Sequence, residues 1–175
     1  TDKDGAKVNK FMHFKKNSEL AQMFAKVHTM GLQFDGKHVT ILSTGVSFDY
    51  IAYKNRMLVV YPETLFDVQL VYKDDIFSFS KESGKVIYSH IVGSPFAQTD
   101  GNIIGGYCVI KNKRGEFLTT LSKEDIEKAK KVARTKTIWD AWFKAMCLKT
   151  IIKQAVKIHF DDIYQEIELE DNLQN

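Results

Sequence analysis

Across 175 residues the chain holds only two cysteines and two prolines. Cys108 and Cys147 are far apart in sequence, each inside an apolar stretch (Tyr107-Cys108-Val109 and Met146-Cys147-Leu148). Nothing in that pattern supports a disulfide, and both read as small core residues in a reducing compartment. No window approaches the roughly 18 consecutive apolar residues of a membrane span, and the lysine-rich start, Thr1 to Lys16, has no apolar signal-peptide core. A cytoplasmic protein with no membrane partner is therefore expected. The start at Thr1 in place of Met is what a trimmed chain would show.

Chemical motifs are equally sparse. There is no Gly-x-x-x-x-Gly-Lys-Ser/Thr loop, which argues against a motor driven by ATP. Gly105-Gly106 follows Ile103-Ile104 inside a strand pattern and opens no helix, so a dinucleotide site fails as well. His13, His28, His38, His90 and His159 lack paired metal-ligand spacing and read as surface or partly packed residues. Adjacent aspartates occur at Asp74-Asp75 and Asp161-Asp162, the first pair at a strand junction where a turn is the economical reading. No Ser/His/Asp or Cys/His arrangement is visible, and the expectation is a protein that is not an enzyme, with no catalytic and no metal-binding residue.

The composition, 44% hydrophobic and 27% charged, is that of a globular domain, and the net charge of +3 alone says little about a partner. Its distribution says more. Residues 1–16 carry five lysines and two aspartates, and residues 17–108 seven basic and nine acidic residues. Residues 109–160 then carry thirteen basic against five acidic residues, a local +8, while residues 161–175 hold six acids and no base, a local −6. A basic block with an acidic counterpart points toward a polyanion, a solvated helix face being the plain alternative. Three segments are expected: a basic arm at 1–16, a core domain at 17–160 and an acidic tail at 161–175.

The pattern of elements is α+β. Asn17 or Ser18 caps a helix through Leu20, Met23, Phe24 and Val27 that stops at Gly31, followed by a strand from Lys37 to Ser43 and a second helix from Val46 to Lys54. Strand-like runs follow at Met57–Tyr61, Thr64–Tyr72, Ile76–Ser80 and Val86–Val92, with a turn at Ser83-Gly84. Asp100-Gly101 signals another hairpin, and Ile103–Lys111 and Glu116–Leu121 should pair antiparallel. Ser122-Lys-Glu-Asp125 resembles a capping box opening a helix through Ile126, Ala129 and Val132. Thr137 then caps a long helix from Ile138 to about His159. The expected fold is a mainly antiparallel sheet packed by helices, ending in a long basic and aromatic helix.

That last helix is the informative one. If it runs unbroken, Lys149, Lys153 and Lys157 share a sector about 80° wide with Trp139, Trp142 and Met146, while Phe143, Cys147, Ile151 and Ile158 cover the other side. A lysine row on a largely buried helix is costly unless the ammonium groups reach solvent or an anion. Lys111, Lys113 and Arg114 in a hairpin turn, and Lys130, Lys131, Arg134 and Lys136 before the helix, can join them. Large aromatics at helical spacing usually fill cores, so core packing competes with base stacking for Trp139 and Trp142.

The segment Trp139-x-x-Trp142-Phe143-x-x-Met146-x-x-Lys149-Thr150-x-x-Lys153-x-x-x-Lys157 resembles the signature of the RecT/Red-beta family of phage single-strand annealing proteins, Trp-x-x-Asp/Glu-Phe/Tyr-x-x-Met-x-x-Lys-Thr followed by basic residues. Leu121–Lys128 is similar to the family's "SKEEVEK" helix start, Ile104–Lys113 to the strand before it, Val71–Phe77 to its "VYEND-F" strand, and Phe24–Leu32 to its early helix ending in Leu-Gly-Leu. The order holds from about Glu19 to Lys157. Thr44–Phe48 matches the family's Gly-Tyr-Lys-Gly only loosely, Lys54-Asn-Arg56 stands for its Arg-Ser-Gly, and His159-Phe160 for its Leu-Pro.

The resemblance implies a protein, independent of ATP, that binds single-stranded DNA and anneals complementary strands in homologous recombination, as an oligomeric ring or helical filament in a bacterial host cell. It implies DNA contacts at the basic residues above and at Lys54 and Arg56. No cofactor is required, Mg2+ entering only with the DNA. The partners it implies are single-stranded DNA, the annealed duplex intermediate and further copies of the chain, with a partner exonuclease or host single-strand binding protein as candidate companions. Two other classes stay open: a metal-dependent nuclease using carboxylates such as Asp74, Asp75 and Asp100, and a structural scaffold whose lysines are incidental.

Overall fold

The computed structural model describes residues 17–42, 45–83, 85–133 and 136–172. In chain order the elements are α1 (Asn17–Thr29), β1 (Val39–Leu42), β2 (Gly45–Phe48), α2 (Tyr50–Val60), β3 (Leu65–Tyr72), β4 (Ile76–Glu82), β5 (Lys85–Ile91), β6 (Ile103–Asn112), β7 (Gly115–Ser122), α3 (Lys123–Val132), α4 (Lys136–Ala141), α5 (Phe143–His159) and α6 (Asp161–Asn172). The fold is α+β and every strand pairing is antiparallel. Among the described residues no helix is long and apolar enough to cross a membrane. The chain divides into two compact units, residues 1–62 with 161–175, and residues 63–160.

In the first unit α1 buries Met23 and Val27, four residues apart on one stripe. It ends in a Schellman turn: Leu32 N–H donates to Val27 O at 3.0 Å and Gly31 N–H to His28 O at 2.9 Å. Gly31 holds φ +72°, and a Cβ there would stand 2.9 Å from Val59 Cγ2, so glycine is required twice over. Helix α2 buries Ala52, Tyr53 and Met57. The expected helix at Val46–Lys54 thus starts later, Val46 lying in β2, and the expected strand at Met57–Tyr61 is helix as far as Val60. Valines at 59 and 60 favour a strand locally, but Met57 is fully buried one turn beyond Tyr53, and that packing overrides propensity.

The segment expected as an acidic tail is the helix α6 as far as Asn172, and it belongs to this first unit. Ile163, Tyr164 and Ile167 are buried at helical spacing, and the helix contacts α2 and β2. Arg56 holds Glu166 through two parallel bonds, Nε to Oε2 at 2.8 Å and Nη2 to Oε1 at 2.9 Å. Tyr53 donates its hydroxyl proton to Glu168 and stacks on Tyr164, ring centroids 5.9 Å apart. Asp161 and Asp162 occupy the first turn, where the helix dipole favours negative charge.

The second unit has three layers. Its centre is the sheet β3-β6-β7. Along β6 alternate residues face opposite ways: Gly106 meets Ile151 of α5, whereas Tyr107 and Val109 join Val71 in a cluster on the other face. The hairpin β4-β5 covers that second face through Phe77 and Tyr88, Phe77 stacking on Tyr107 with centroids 4.7 Å apart. A turn at Ser83 joins the two strands, Gly84 lying outside the described residues. Asp100-Gly101 forms a short 3-10 turn leading into β6 and not the hairpin that the dipeptide suggested.

The expected pairing of the strands around Asn112–Gly115 is present in register from Gly105↔Ser122 to Asn112↔Gly115. Ser122 caps α3 in a full capping box with Asp125, as its spacing indicated, although Val132, expected on the apolar stripe, is exposed. The expected unbroken helix from Ile138 is interrupted: α4 starts at Lys136 and stops at Ala141, and Trp142 takes φ −133°, ψ 44° before α5 begins. The break resets the helical phase. Trp139 is then buried while the apolar face of α5 still meets the sheet.

Candidate functional site

Helix α5 packs against β6, β3 and β7 with Cys147, Ile151, Ile152, Ala155 and Val156 buried. At about 100° per residue these side chains span one half of the helix, and Lys149, Lys153 and Lys157 fall on the other half. Lys149 and Lys153 are half-buried and Lys157 is exposed. The row thus occupies the face turned away from the sheet. The row covers about 12 Å of a helix about 25 Å long.

One glycine lets this helix lie so close, and its neighbour lets β7 do so. A Cβ at Gly106 would sit 2.5 Å from Ile151 Cδ1, and one at Gly105 would sit 2.5 Å from Leu121 O. Cys147 lies in the same interface, where burial pushes its thiol up to about 12, neutral and unreactive; both cysteines are free.

The other predicted cations gather at the two ends of α5. At its C-terminal end the β6-β7 turn presents Lys113 and Arg114, and the Arg114 guanidinium lies over the Phe160 ring at 5.0 Å. His159 Nε2 is 2.9 Å from the Thr119 hydroxyl, and Phe117 packs on both His159 and Phe160, which fastens that end to β7. Lys111 is exposed on β6 opposite Glu116. At the N-terminal end Lys130 of α3 binds Asp140 at 2.8 Å and lies 5.3 Å from the Phe143 ring centroid. Its hydrogen bond to Asp140 raises its pKa above the ordinary lysine value. Lys131 and Lys136 are exposed nearby in sequence, and Arg134 lies outside the described residues.

The two tryptophans part company. Trp139 is 3% exposed and packs near Phe143, which is a core role, whereas Trp142 is 68% exposed at the helix break. Lys54 and Arg56 belong to the first unit, where Arg56 is committed to Glu166. Of the carboxylates in the nuclease alternative, Asp75 has structural work. Asp75 accepts from the backbone N–H of Tyr72 and of Gly93, both at 2.8 Å, and binds His90 Nε2 at 3.1 Å. Burial opposes its ionisation, but these partners outweigh that and hold its carboxyl below the usual range. Among the described residues no group of three or more His, Cys, Asp and Glu is arranged to hold a metal ion.

Sequence reasoning missed several of these features. The chain Asp75–His90–Tyr107, closed by a 3.3 Å contact from His90 Nδ1 to the tyrosine hydroxyl, pins the β4-β5 hairpin to the sheet and has no sequence signature. Lys144, counted in the basic block but not singled out, reaches the carbonyl of Gln98 and lies 5.7 Å from the Tyr72 ring centroid. A cleft of about 320 Å³ is lined by Lys123, Lys130, Trp139 and Phe143 together with Asp100, Glu127 and Asp140.

The arrangement is a row of cationic side chains on the outer half of α5, with the exposed Trp142 at the break before it. The model of the RecT family matches residues 63–174, the whole second unit and all of α6. Searches of curated proteins and of solved structures gave no match.

Proposed function

Since the chain belongs to the RecT family of DNA recombination and annealing proteins, we propose that it binds single-stranded DNA along the outer face of α5 and anneals complementary strands without ATP. The observation that carries the reading is the row Lys149, Lys153 and Lys157 on the half of α5 opposite its buried face, with Lys130 at one end and Arg114 at the other. A single strand laid along that row loses its phosphate repulsion to the ammonium groups and releases its counterions, leaving base edges to search for a complement. No covalent step is required, so the protein acts as a binding and annealing factor, not as an enzyme. It requires no cofactor, Mg2+ arriving only with the DNA. It works as an oligomeric ring or helical filament in the cytoplasm of a bacterial host cell, with the annealed duplex as its product and an exonuclease or host single-strand binding protein as companions.

The test mixes the full chain with two complementary labelled oligonucleotides in the absence of ATP, following annealing and particle size together. Duplex formation in large particles is expected. Shortened strands in the presence of a divalent cation would instead indicate a nuclease, and no affinity at moderate salt would indicate a scaffold. Replacing Lys149, Lys153 and Lys157 by glutamine should weaken binding and flatten its salt dependence by roughly 0.7 for each phosphate no longer neutralised. An unchanged slope would remove these lysines from the interface.

A further inference from the structure

The side of α5 that carries the lysine row has an apolar beginning. Trp142 N–H donates to Ile138 O at 2.9 Å and Met146 N–H to Trp142 O at 3.0 Å, so helical hydrogen bonds join α4 to α5 across the break. Residues bonded in this way lie one turn apart on the same side of a helix, and Ile138, Trp142 and Met146 follow one another as a stripe. Within α5, Met146 falls in the sector of Lys149, Lys153 and Lys157. Ile138 and Trp142 are exposed, Met146 is half-buried, and Ala141 and Ala145 flanking them are exposed as well.

One helix side therefore has two unlike halves, apolar from Ile138 to Met146 and cationic from Lys149 to Lys157, each covering about 12 Å. The core does not take up the apolar half, because the face of α5 that meets the sheet is the other one, with Cys147, Ile151, Ile152, Ala155 and Val156. Contiguous apolar side chains left in water are the mark of a contact surface. No acidic residue interrupts α5, and Asp140 of α4 is bound by Lys130 at 2.8 Å. A nucleic acid strand, anionic along its whole length, complements the cationic half. Aliphatic Ile138, Met146 and the two alanines are complemented by apolar side chains, so the surface as a whole fits a peptide that is apolar at one end and acidic at the other.

We propose that this side of the helix docks an acidic peptide with an apolar end, the apolar side chains lying on Ile138, Trp142 and Met146 and the carboxylates on Lys149, Lys153 and Lys157. The proposal rests on the reading of the lysine row as an anion site and gives that site a protein ligand beside the nucleic acid. Exposed ion pairs contribute little one by one, so the apolar half supplies the anchor and sets the direction of the peptide. Both ligands need the same ammonium groups. A partner carrying such a peptide is therefore released as the strand is taken up.

Trp142 reports on docking directly, because the other tryptophan, Trp139, is buried. The probes are the peptide Asp-Asp-Asp-Asp-Leu-Phe and its scrambled form Leu-Asp-Asp-Phe-Asp-Asp, equal in charge, titrated into the full chain. The first should move the tryptophan emission to shorter wavelength and bind roughly ten-fold more tightly than the second, and a thymine oligonucleotide should displace it. Ile138→Ser should remove the preference between the peptides and leave oligonucleotide affinity unchanged, whereas Lys153→Gln should weaken both kinds of ligand. Circular dichroism and melting check that the variants fold; if Ile138→Ser does not, the two peptides compared on the unaltered chain decide alone. Equal affinity for the two peptides would overturn the docking site, as would peptide and oligonucleotide bound together without competition. Oligonucleotide binding with no peptide binding would overturn it and leave the single-strand reading standing. Peptide binding with no oligonucleotide affinity would retain the docking site and overturn the single-strand reading.

Discussion

Replacing Gly106 with alanine adds one carbon at the place where α5 lies on the sheet. The new Cβ would stand 2.5 Å from Ile151 Cδ1, 2.7 Å from Gln69 O and 3.2 Å from Leu70 Cδ2. Ordinary contact begins near 3.4 Å. Neither of the two nearest neighbours can yield cheaply: Ile151 is fully buried, and Gln69 O is a backbone atom of β3, the strand paired to β6. Relief therefore requires moving the helix or spreading the strands, and overpacking of this kind costs about 1–3 kcal/mol. For a chain of this length that corresponds to a fall of about 2–12 °C in Tm, measured by circular dichroism.

Gly101→Ala is the control, because nothing lies within 4 Å of its added carbon, and its stability should stay within about 0.5 kcal/mol of the parent. A double-mutant cycle sharpens the reasoning. Ile151→Val deletes the clashing Cδ1 and should cost about 1 kcal/mol alone, yet combined with Gly106→Ala it should cost less than the sum. The rescue is partial because the Gln69 carbonyl remains. A Gly106→Ala protein that melts with the parent, or a strictly additive double variant, would refute the close approach of α5 on which the placement of the lysine row depends.

Two further outcomes concern stability. In the first unit, the Arg56–Glu166 pair is bidentate but only partly shielded, its side chains 18% and 34% exposed, so a urea-denaturation cycle with Arg56→Met and Glu166→Gln should show coupling of about 1 kcal/mol. Coupling near zero would reduce the pair to a surface contact. In the second unit, burial lowers the pKa of His159, Lys81 adding to the effect and a hydrogen bond with the Leu118 backbone opposing it. The folded chain then holds this proton less readily than the unfolded one. The stability this residue contributes is complete above the unfolded value near 6.5 and is lost as pH falls through the folded value. Between pH 7 and 5.5 the parent's Tm should therefore fall more steeply than that of His159→Gln; parallel profiles would contradict the assignment.

Local signals that depend on neighbours in sequence are legible without the fold. The Ser122–Asp125 capping box, the β6-β7 hairpin around Asn112–Gly115 and the stop at Gly31 all need only a few consecutive residues, and all are present. The lysine row is legible for the same reason, since Lys149, Lys153 and Lys157 lie within one uninterrupted helix. Where the local pattern misleads, the deciding partner is distant. Met57–Val60 looks like a strand until Met57 is buried, and the break at Trp142 has no glycine or proline to announce it.

The sequence by itself determined the α+β class, the cationic stretch and its resemblance to annealing proteins, because composition, periodicity and turn chemistry are properties of short segments. Only the tertiary structure decided that Trp139 is core while Trp142 faces water, that the acidic residues 161–172 form a helix joined to Arg56 and Tyr53, and that Phe96 stands on a loop tied to α5. It also turned Gly106 from part of a failed nucleotide motif into the place where helix meets sheet. Each of these depends on which surfaces exclude water together, and burial is shared among residues that no window of sequence brings side by side.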